Sequence, residues 1–396
     1  MKKLLPLILF AFITNNFFSQ TASSITNGNW TNPLTWNCAC VPTNGYSVTI
    51  NNNVTLNTSL LFNTGGININ NTGSLTQDAA LNRDIWINGG YFNNSGKANF
   101  RYFLISTGAI TNPGSFTVSA LTNSVSFNNT GSIQMDSMWI AGTFTNAASG
   151  IITGDSLTVN NSLLNNGRMT ITAITNSNTV NNNNYIGGYA FTNSGIFNNS
   201  DSLILTGSIW NRTVFNNNLT GKVRLTKNFH NYHPSTTALF NNNGNVTVLD
   251  SWYNTDTVKG GANGYFQVQD TSANSGFMKG NYTFCDLTPT TPKVDLNSGT
   301  IAGTILFSCA LGIKENELAE VKIYPNPSNG NLHVNALGHA DLRISISDIS
   351  GKLLLEQHLP NNNSEINLNC SNGIYFLKIT DLQSGNSKTE KLIIQK

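Results

Sequence analysis

One short phrase recurs through the middle of this chain: an aromatic or aliphatic residue, one or two asparagines, a glycine, then an alternating apolar strand. Phe127-Asn128-Asn129-Thr130-Gly131-Ser132-Ile133-Gln134-Met135 is its clearest copy, with relatives at Phe92-Asn93-Asn94-Ser95-Gly96, Leu164-Asn165-Asn166-Gly167, Phe191-Thr192-Asn193-Ser194-Gly195 and Phe240-Asn241-Asn242-Asn243-Gly244. Gly96, Gly114, Gly131, Gly150 and Gly167 lie 17 to 19 residues apart, and later copies spread to about 23 to 28. A period of this length is the signature of a solenoid, in which each repeat buries its apolar side only by stacking on its neighbours.

A second phrase keeps step with the first, at Asp136-Ser137-Met138, Asp155-Ser156-Leu157, Asp201-Ser202-Leu203 and Asp250-Ser251-Trp252. Each rung therefore holds at least two strands separated by Asn/Gly turns, residues that tolerate the left-handed backbone a tight corner needs. Rungs stacked ~4.8 Å apart bring the turn asparagines above one another, where their amides can hydrogen-bond along the stack. The predicted fold is all-β: a parallel β-helix over 57–280, about ten rungs and roughly 50 Å long. A β-sandwich with Asn-rich loops is the competing architecture, but sandwich strands do not repeat one phrase. The polar stretch 176–184 and the segment Phe229-His230-Asn231-Tyr232-His233-Pro234 read as loops that enlarge individual rungs.

Charge bounds the function. Between positions 21 and 312 there are eleven Lys or Arg, ten Asp and no Glu. No basic stripe of the kind a nucleic-acid binder needs is visible. Convergent acid, base or nucleophile motifs are equally scarce, and no catalytic residue is assigned. The four charges that could build a polysaccharide-cleaving site, Asp201, Arg212, Arg224 and Asp250, would do so only if their rungs align. His230 and His233 have a metal-ligand spacing but no third ligand near them in sequence, so a surface loop is the reading and no metal or cofactor is expected. Aspartates recurring at one corner could form a calcium-binding ladder, against the plainer reading of Asp-Ser as turn chemistry. Asp295-x-Asn297-x-Gly299 begins like a calcium loop without its terminal Glu and reads as a turn.

The chain opens with Met1-Lys2-Lys3 and an apolar run over 4–13, too short to span a bilayer, which reads as a secretory signal peptide over 1–20. No other segment is long and apolar enough for a transmembrane helix. Residues 21–56 form an entry module built on Gly28-Asn29-Trp30, Trp36 and Val41-Pro42, which resembles a module found ahead of β-helices on secreted proteins of the Bacteroidetes. Its two Trp either cap the open end of the stack or form a sugar-stacking platform. Asp-Ser-Met and Asp-Ser-Leu resemble the O-glycosylation acceptor motif of the same phylum, which implies sugars on Ser137, Ser156 and Ser202.

From Tyr282 the repeat fades, and 281–312 reads as an end cap or edge hairpin. In an oxidising compartment Cys285 and Cys309 are the natural disulfide, worth roughly 3 kcal/mol for a loop of this size. Cys38 and Cys40 then remain as a close pair, bonded to each other or held as thiols. Glu315, Glu317 and Glu320 mark a linker over 313–320. Beyond it, short alternating strands over 321–396 predict a small Ig-like antiparallel sandwich. The segment carries Tyr324-Pro325-Asn326-Pro327 with Gly330, then Asp348 with Gly351, Gly373 with Tyr375, and a terminal Lys-rich strand. That combination resembles the type A C-terminal sorting domain of type IX secretion cargo. The resemblance implies a translocon and a sortase as partners, removal of the tail, and release or attachment to surface lipopolysaccharide. For the rest of the chain the expectation is an adhesin-like scaffold for extracellular glycan. A polysaccharide lyase or hydrolase is the alternative.

Overall fold

The computed structural model describes residues 20–78, 81–235, 237–288, 293–309, 321–336, 342–359, 363–381 and 387–396. The expected signal peptide, apart from Gln20, and the linker lie outside these residues. The chain forms two compact units, the first ending at Cys309 and the second beginning at Ala310.

The first unit is a parallel β-solenoid with three faces. Fifteen parallel strands, from Gln20–Ser23 to Thr300–Gly303, stack on the first face. The second face runs from Gly28–Asn29 to Leu306–Phe307, and the third from Leu60–Phe62 to Leu296–Asn297. Between positions 97 and 193 single nine-residue strands such as Ser132–Ile140 bend once and serve both the second and third faces. Fifteen rungs correspond to a stack of about 67 Å. Parallel pairing thus extends beyond both ends of the 57–280 span. The segment around Asp295 continues the stack: Leu296–Asn297 and Thr300–Gly303 pair parallel to the preceding turn, and among the described residues there no hairpin forms.

Alternation along each strand sends every second residue into the core. On the first face this builds a column through Phe127, Phe144, Leu163, Val180, Phe197, Phe215 and Phe240, all fully buried. Neighbouring rings meet 4.7–4.8 Å apart, as in Phe127–Phe144 and Phe197–Phe215. Two residues on stands a buried column of asparagines. Asn94, Asn112, Asn129, Asn146, Asn165, Asn182, Asn199 and Asn217 each donate Nδ2 to the Oδ1 of the next at 2.7–2.9 Å, the last bond ending on Asn242. The remaining amide hydrogens go to strand carbonyls of the following rung, for example Asn165 to Tyr185 at 3.1 Å. A second ladder at the end of the third face joins Asn176, Asn193, Asn211, Asn231, Asn254, Asn274 and Asn297. Low dielectric strengthens such bonds and makes any gap in them costly.

These ladders correct the reading of 176–184 as a loop. Asn176 ends the strand Arg168–Asn176 and Asn182 ends Thr179–Asn182, and both point inward. Two of the asparagines that suggested a loop, Asn176 and Asn182, belong to the polar part of the core. The segment at 229–234 is likewise half strand, since Phe229–Asn231 pairs with the rungs on either side.

Trp30 and Trp36 are fully buried at the first rung, in edge contact with ring centroids 4.9 Å apart. Their indole N–H groups donate to Pro42 O at 3.0 Å and Trp30 O at 2.8 Å. Lying in the core, they are not a sugar platform. At the other end the first ladder gives way to Gly260, Gly280 and Gly303, and the buried Tyr282 takes the room the missing side chains leave. Burial pushes the Tyr282 hydroxyl's pKa up. Cys285 bonds Cys309, and Cys38 bonds Cys40.

In the second unit three antiparallel strands (Val321–Tyr324, Asn331–Ala336, Asn363–Asn367) and four others (Leu342–Asp348, Leu353–Leu359, Gly373–Asp381, Ser387–Ile394) form two sheets. Leu332, Val334 and Ile366 of one meet Ile344, Leu377, Ile379 and Leu392 of the other in one apolar core.

Candidate functional site

The second unit places its motif residues at the joints between strands. Asn326 bridges to the terminal strand, donating from Nδ2 to Lys391 O at 2.7 Å and accepting from Ile393 N at 2.9 Å. Ser328 continues this edge, with its N–H donating to Ile393 O and its carbonyl accepting from Gln395 N. Gly330 has a positive φ of 110°, and a Cβ there would meet Leu368 O at 2.6 Å. Asp348 Oδ1 accepts from the Ser350 hydroxyl and the amides of Ser350 and Lys352, closing the turn that Gly351 completes at φ 85°. The Ser350 hydroxyl bond holds the Asp348 carboxyl below its ordinary pKa. Tyr375 is buried, and its hydroxyl donates to Ser371 O at 2.8 Å. Tyr324 stacks on His333, 5.6 Å between centroids. The motif is thus a set of turn and edge devices that define the sandwich.

In the solenoid the Asp-Ser phrases do not share one corner. Asp136-Ser137 and Asp155-Ser156 lie on consecutive rungs at the bend between the second and third faces, with both serines exposed. Asp250-Ser251 occupies the same bend several rungs later, where Ser251 is buried. Ser202 instead faces outward at the start of the second face, aligned with Tyr185 and Lys222, and its hydroxyl donates to Asp201 at 2.9 Å. No acidic ladder forms. Any strand that alternates as Ser-Leu-x-Leu fits either face, so the phrase could not specify which.

The four charges considered for a lytic site occupy different positions on their rungs. Arg224 projects from the second face, Asp201 sits at the corner before that face, Arg212 follows the third face, and Asp250 pairs with Lys227 at 3.7 Å. Among the described residues no ion pair links any two of the four. His230 and His233 also part: His233 Nδ1 accepts from Ser235 N at 2.9 Å, whereas His230 lies outward on a strand. Asp295 accepts from Ser272 N, and Asn297 closes the second asparagine ladder, so both residues of the motif hold the last rung to the one before it.

The feature that single-residue motifs missed is on the outside of the third face. Its strands there present one central side chain to solvent. In register these are Leu61, Trp86, Leu104, Thr122, Trp139, Thr158, Thr175, Thr192, Trp210, His230, Tyr253, Ala273 and Leu296. The stripe contains no Asp, Glu, Lys or Arg. Trp139 is 49% and Trp210 40% exposed, large for rings on a sheet. Trp210 and His230 stack at 3.8 Å with planes 9° apart, and His230 and Tyr253 at 5.0 Å and 10°.

Burial lowers the pKa of His230 below its ordinary 6.5, so the ring is neutral at pH 7. For a base depressed in the folded state, the linked stability is complete above the unfolded value and is lost as pH falls through the folded one. The melting temperature should therefore decline as pH drops from 7 to 5. His230→Phe, which keeps a flat ring in the stack, should remove this component of the decline in a thermal-melt pH series.

The chain matches the secretion system C-terminal sorting domain over residues 322–395. No curated protein matches it. Among solved structures it is similar to PorZ, an essential bacterial surface component of the type-IX secretion system of Porphyromonas gingivalis, at 21% identity over 22% of this chain and 13% of that one, with a TM-score of 0.19. It is also similar to the cell-surface-expressed multi-modular chitinase ChiW from Paenibacillus sp. str. FPU-7, at 12% identity over 87% of this chain and 24% of that one, with a TM-score of 0.16. The chain thus spans 13% and 24% of the lengths of these two proteins. No helix among the described residues is long and apolar enough to cross a membrane. The protein is a parallel β-solenoid that carries the C-terminal sorting domain of type IX secretion cargo.

Proposed function

We propose that the solenoid is a noncatalytic, adhesin-like scaffold, exported by the type IX translocon and its sortase, that binds extracellular glycan along its third face. The observation that carries this reading is the uncharged outer stripe from Leu61 to Leu296, with Trp139, Trp210, His230 and Tyr253 set in register on one parallel sheet. Sugar rings have apolar C–H faces that stack on aromatic side chains, and the threonines at 158, 175 and 192 supply hydroxyls between the ring clusters. A repeat of one position per ~4.8 Å suits a polymer better than a small solute. The dispersed Asp201, Arg212, Arg224 and Asp250 support binding over cleavage.

The test incubates the secreted protein with insoluble plant, algal and bacterial polysaccharides, scoring retention and new chain ends together. Retention without new ends is expected. Trp139→Ala with Trp210→Ala should weaken retention about tenfold, the scale of losing two stacking contacts. Chain ends that accumulate with time would replace the scaffold by a depolymerase.

A further inference from the structure

We infer that the third face holds one defined subsite, a slot beside Ala273 that receives a single neutral pyranose ring edge-on, as the missing member of the aromatic stack. This rests on the glycan-binding reading above and assigns it a location and a ligand class. The rings of Trp210, His230 and Tyr253 lie nearly parallel, one per rung, so their planes cross the solenoid axis. The free face of Tyr253 is therefore turned toward the next rung. There the register places Ala273, whose methyl group is too short to continue the stack, and after it Leu296, 64% exposed. The stack is interrupted for one rung and then walled again.

Two rungs separate Tyr253 from Leu296, about 9.6 Å, which leaves a flat ring roughly 4.8 Å from each. That is the spacing His230 and Tyr253 already keep, at 5.0 Å. An open surface depression of about 460 Å³ lies here, lined by Tyr253, Ala273 and Leu296 and by Asn254, Asn274 and Asn297, with Thr255, Ser275 and Ser298 along its rim. These three rim residues are exposed and follow one another on successive rungs. The slot thus offers two apolar walls, a small floor and a row of hydroxyls on one side. A pyranose has the matching chemistry, with apolar C–H surfaces above and below and hydroxyls around its edge. No Asp, Glu, Lys or Arg lines the cleft, so the ring taken is an uncharged hexose, pentose or N-acetylhexosamine rather than a uronate.

The experiment measures binding of the secreted protein to an array of neutral hexasaccharides with hexose, pentose and N-acetylhexosamine backbones, with a polyuronate as the charged control. Wild type should bind at least one neutral backbone. Ala273→Trp, which fills the slot, and Tyr253→Ala, which removes its wall, should each lower that affinity at least about tenfold, whereas Tyr253→Phe retains it. Thermal melts of each variant separate loss of the slot from loss of the fold, and Ala273→Ser serves as the small-residue control at the same position. If Ala273→Trp and Tyr253→Ala bind like wild type while Trp139→Ala with Trp210→Ala does not, the slot is wrong and the face reading stands. If wild type binds only the polyuronate, the neutral slot is wrong and the face reading stands; if it binds no glycan at all, both fall.

Discussion

Asn165→Ala should destabilise the solenoid by about 4 kcal/mol, among the largest effects of any single substitution in it. Asn165 is fully buried, accepts from Asn146 at 2.9 Å, and donates to Asn182 at 2.8 Å and to the Tyr185 carbonyl at 3.1 Å. Truncation strips the Asn182 Oδ1 and the Tyr185 carbonyl of those donors in a place water does not reach, at roughly 1–3 kcal/mol each, and leaves a void besides. Asn146 suffers less, because its amide also donates to Gly150 O and Arg168 O. Asn183 is the control. It lies exposed on the next rung and donates back to Asn166 at 2.9 Å, so Asn183→Ala should cost no more than about 0.5 kcal/mol. Guanidinium unfolding of the two variants decides the matter. Equal midpoints would mean that the inner ladder is not what holds adjacent rungs together.

Removing residues 321–396 is expected to abolish appearance of the solenoid outside the cell while leaving it folded within the envelope. The sorting domain has its own apolar core and no need of the solenoid's. A graded version uses Asn326→Ala. The last strand, Ser387–Ile394, is paired on one side only with Gly373–Asp381, and on the other the Asn326 side chain and the Ser328 backbone stand in for a neighbouring strand. Loss of the two Asn326 bonds weakens that edge by roughly 1–2 kcal/mol, so the variant should be exported at reduced yield. Immunoblots of medium and cell fractions read both. Unchanged export of the truncated chain would take the sorting function away from this domain.

Much of this architecture could be read from residues alone, because a parallel stack repeats its demands once per rung. The spacing of Gly96 to Gly167 implied the coil, and the Tyr-Pro-Asn-Pro, Asp-x-x-Gly and Gly-Ile-Tyr phrases marked out the sandwich. What was not legible follows from the same chemistry. Asparagine is a good turn residue and, when stacked in register, a good core residue, so the segment 176–184 looked like a loop although Asn176 and Asn182 point inward. Asp201-Ser202-Leu203 and Asp155-Ser156-Leu157 share a phrase yet open different faces, because alternation says which residues face inward without saying toward which sheet. The outer stripe was hidden for a related reason. Trp139, Trp210 and Tyr253 are separated by intervals that no single period fits, and only the register lines them up.

The direction of the hydrogen bonds has a mechanical consequence. In a parallel solenoid the backbone bonds between rungs, and the Asn146–Asn165–Asn182 chain beside them, all run along the long axis. A pull from one end loads only the outermost rung, which peels away before the next feels the force. A central rung such as that between Asn165 and Asn182 then releases some 17 residues of slack, close to 55 Å of extended chain. A molecule held at its tail and gripping a polymer along its flank would therefore yield in steps, lengthening under a sudden tug while the inner rungs keep their hold.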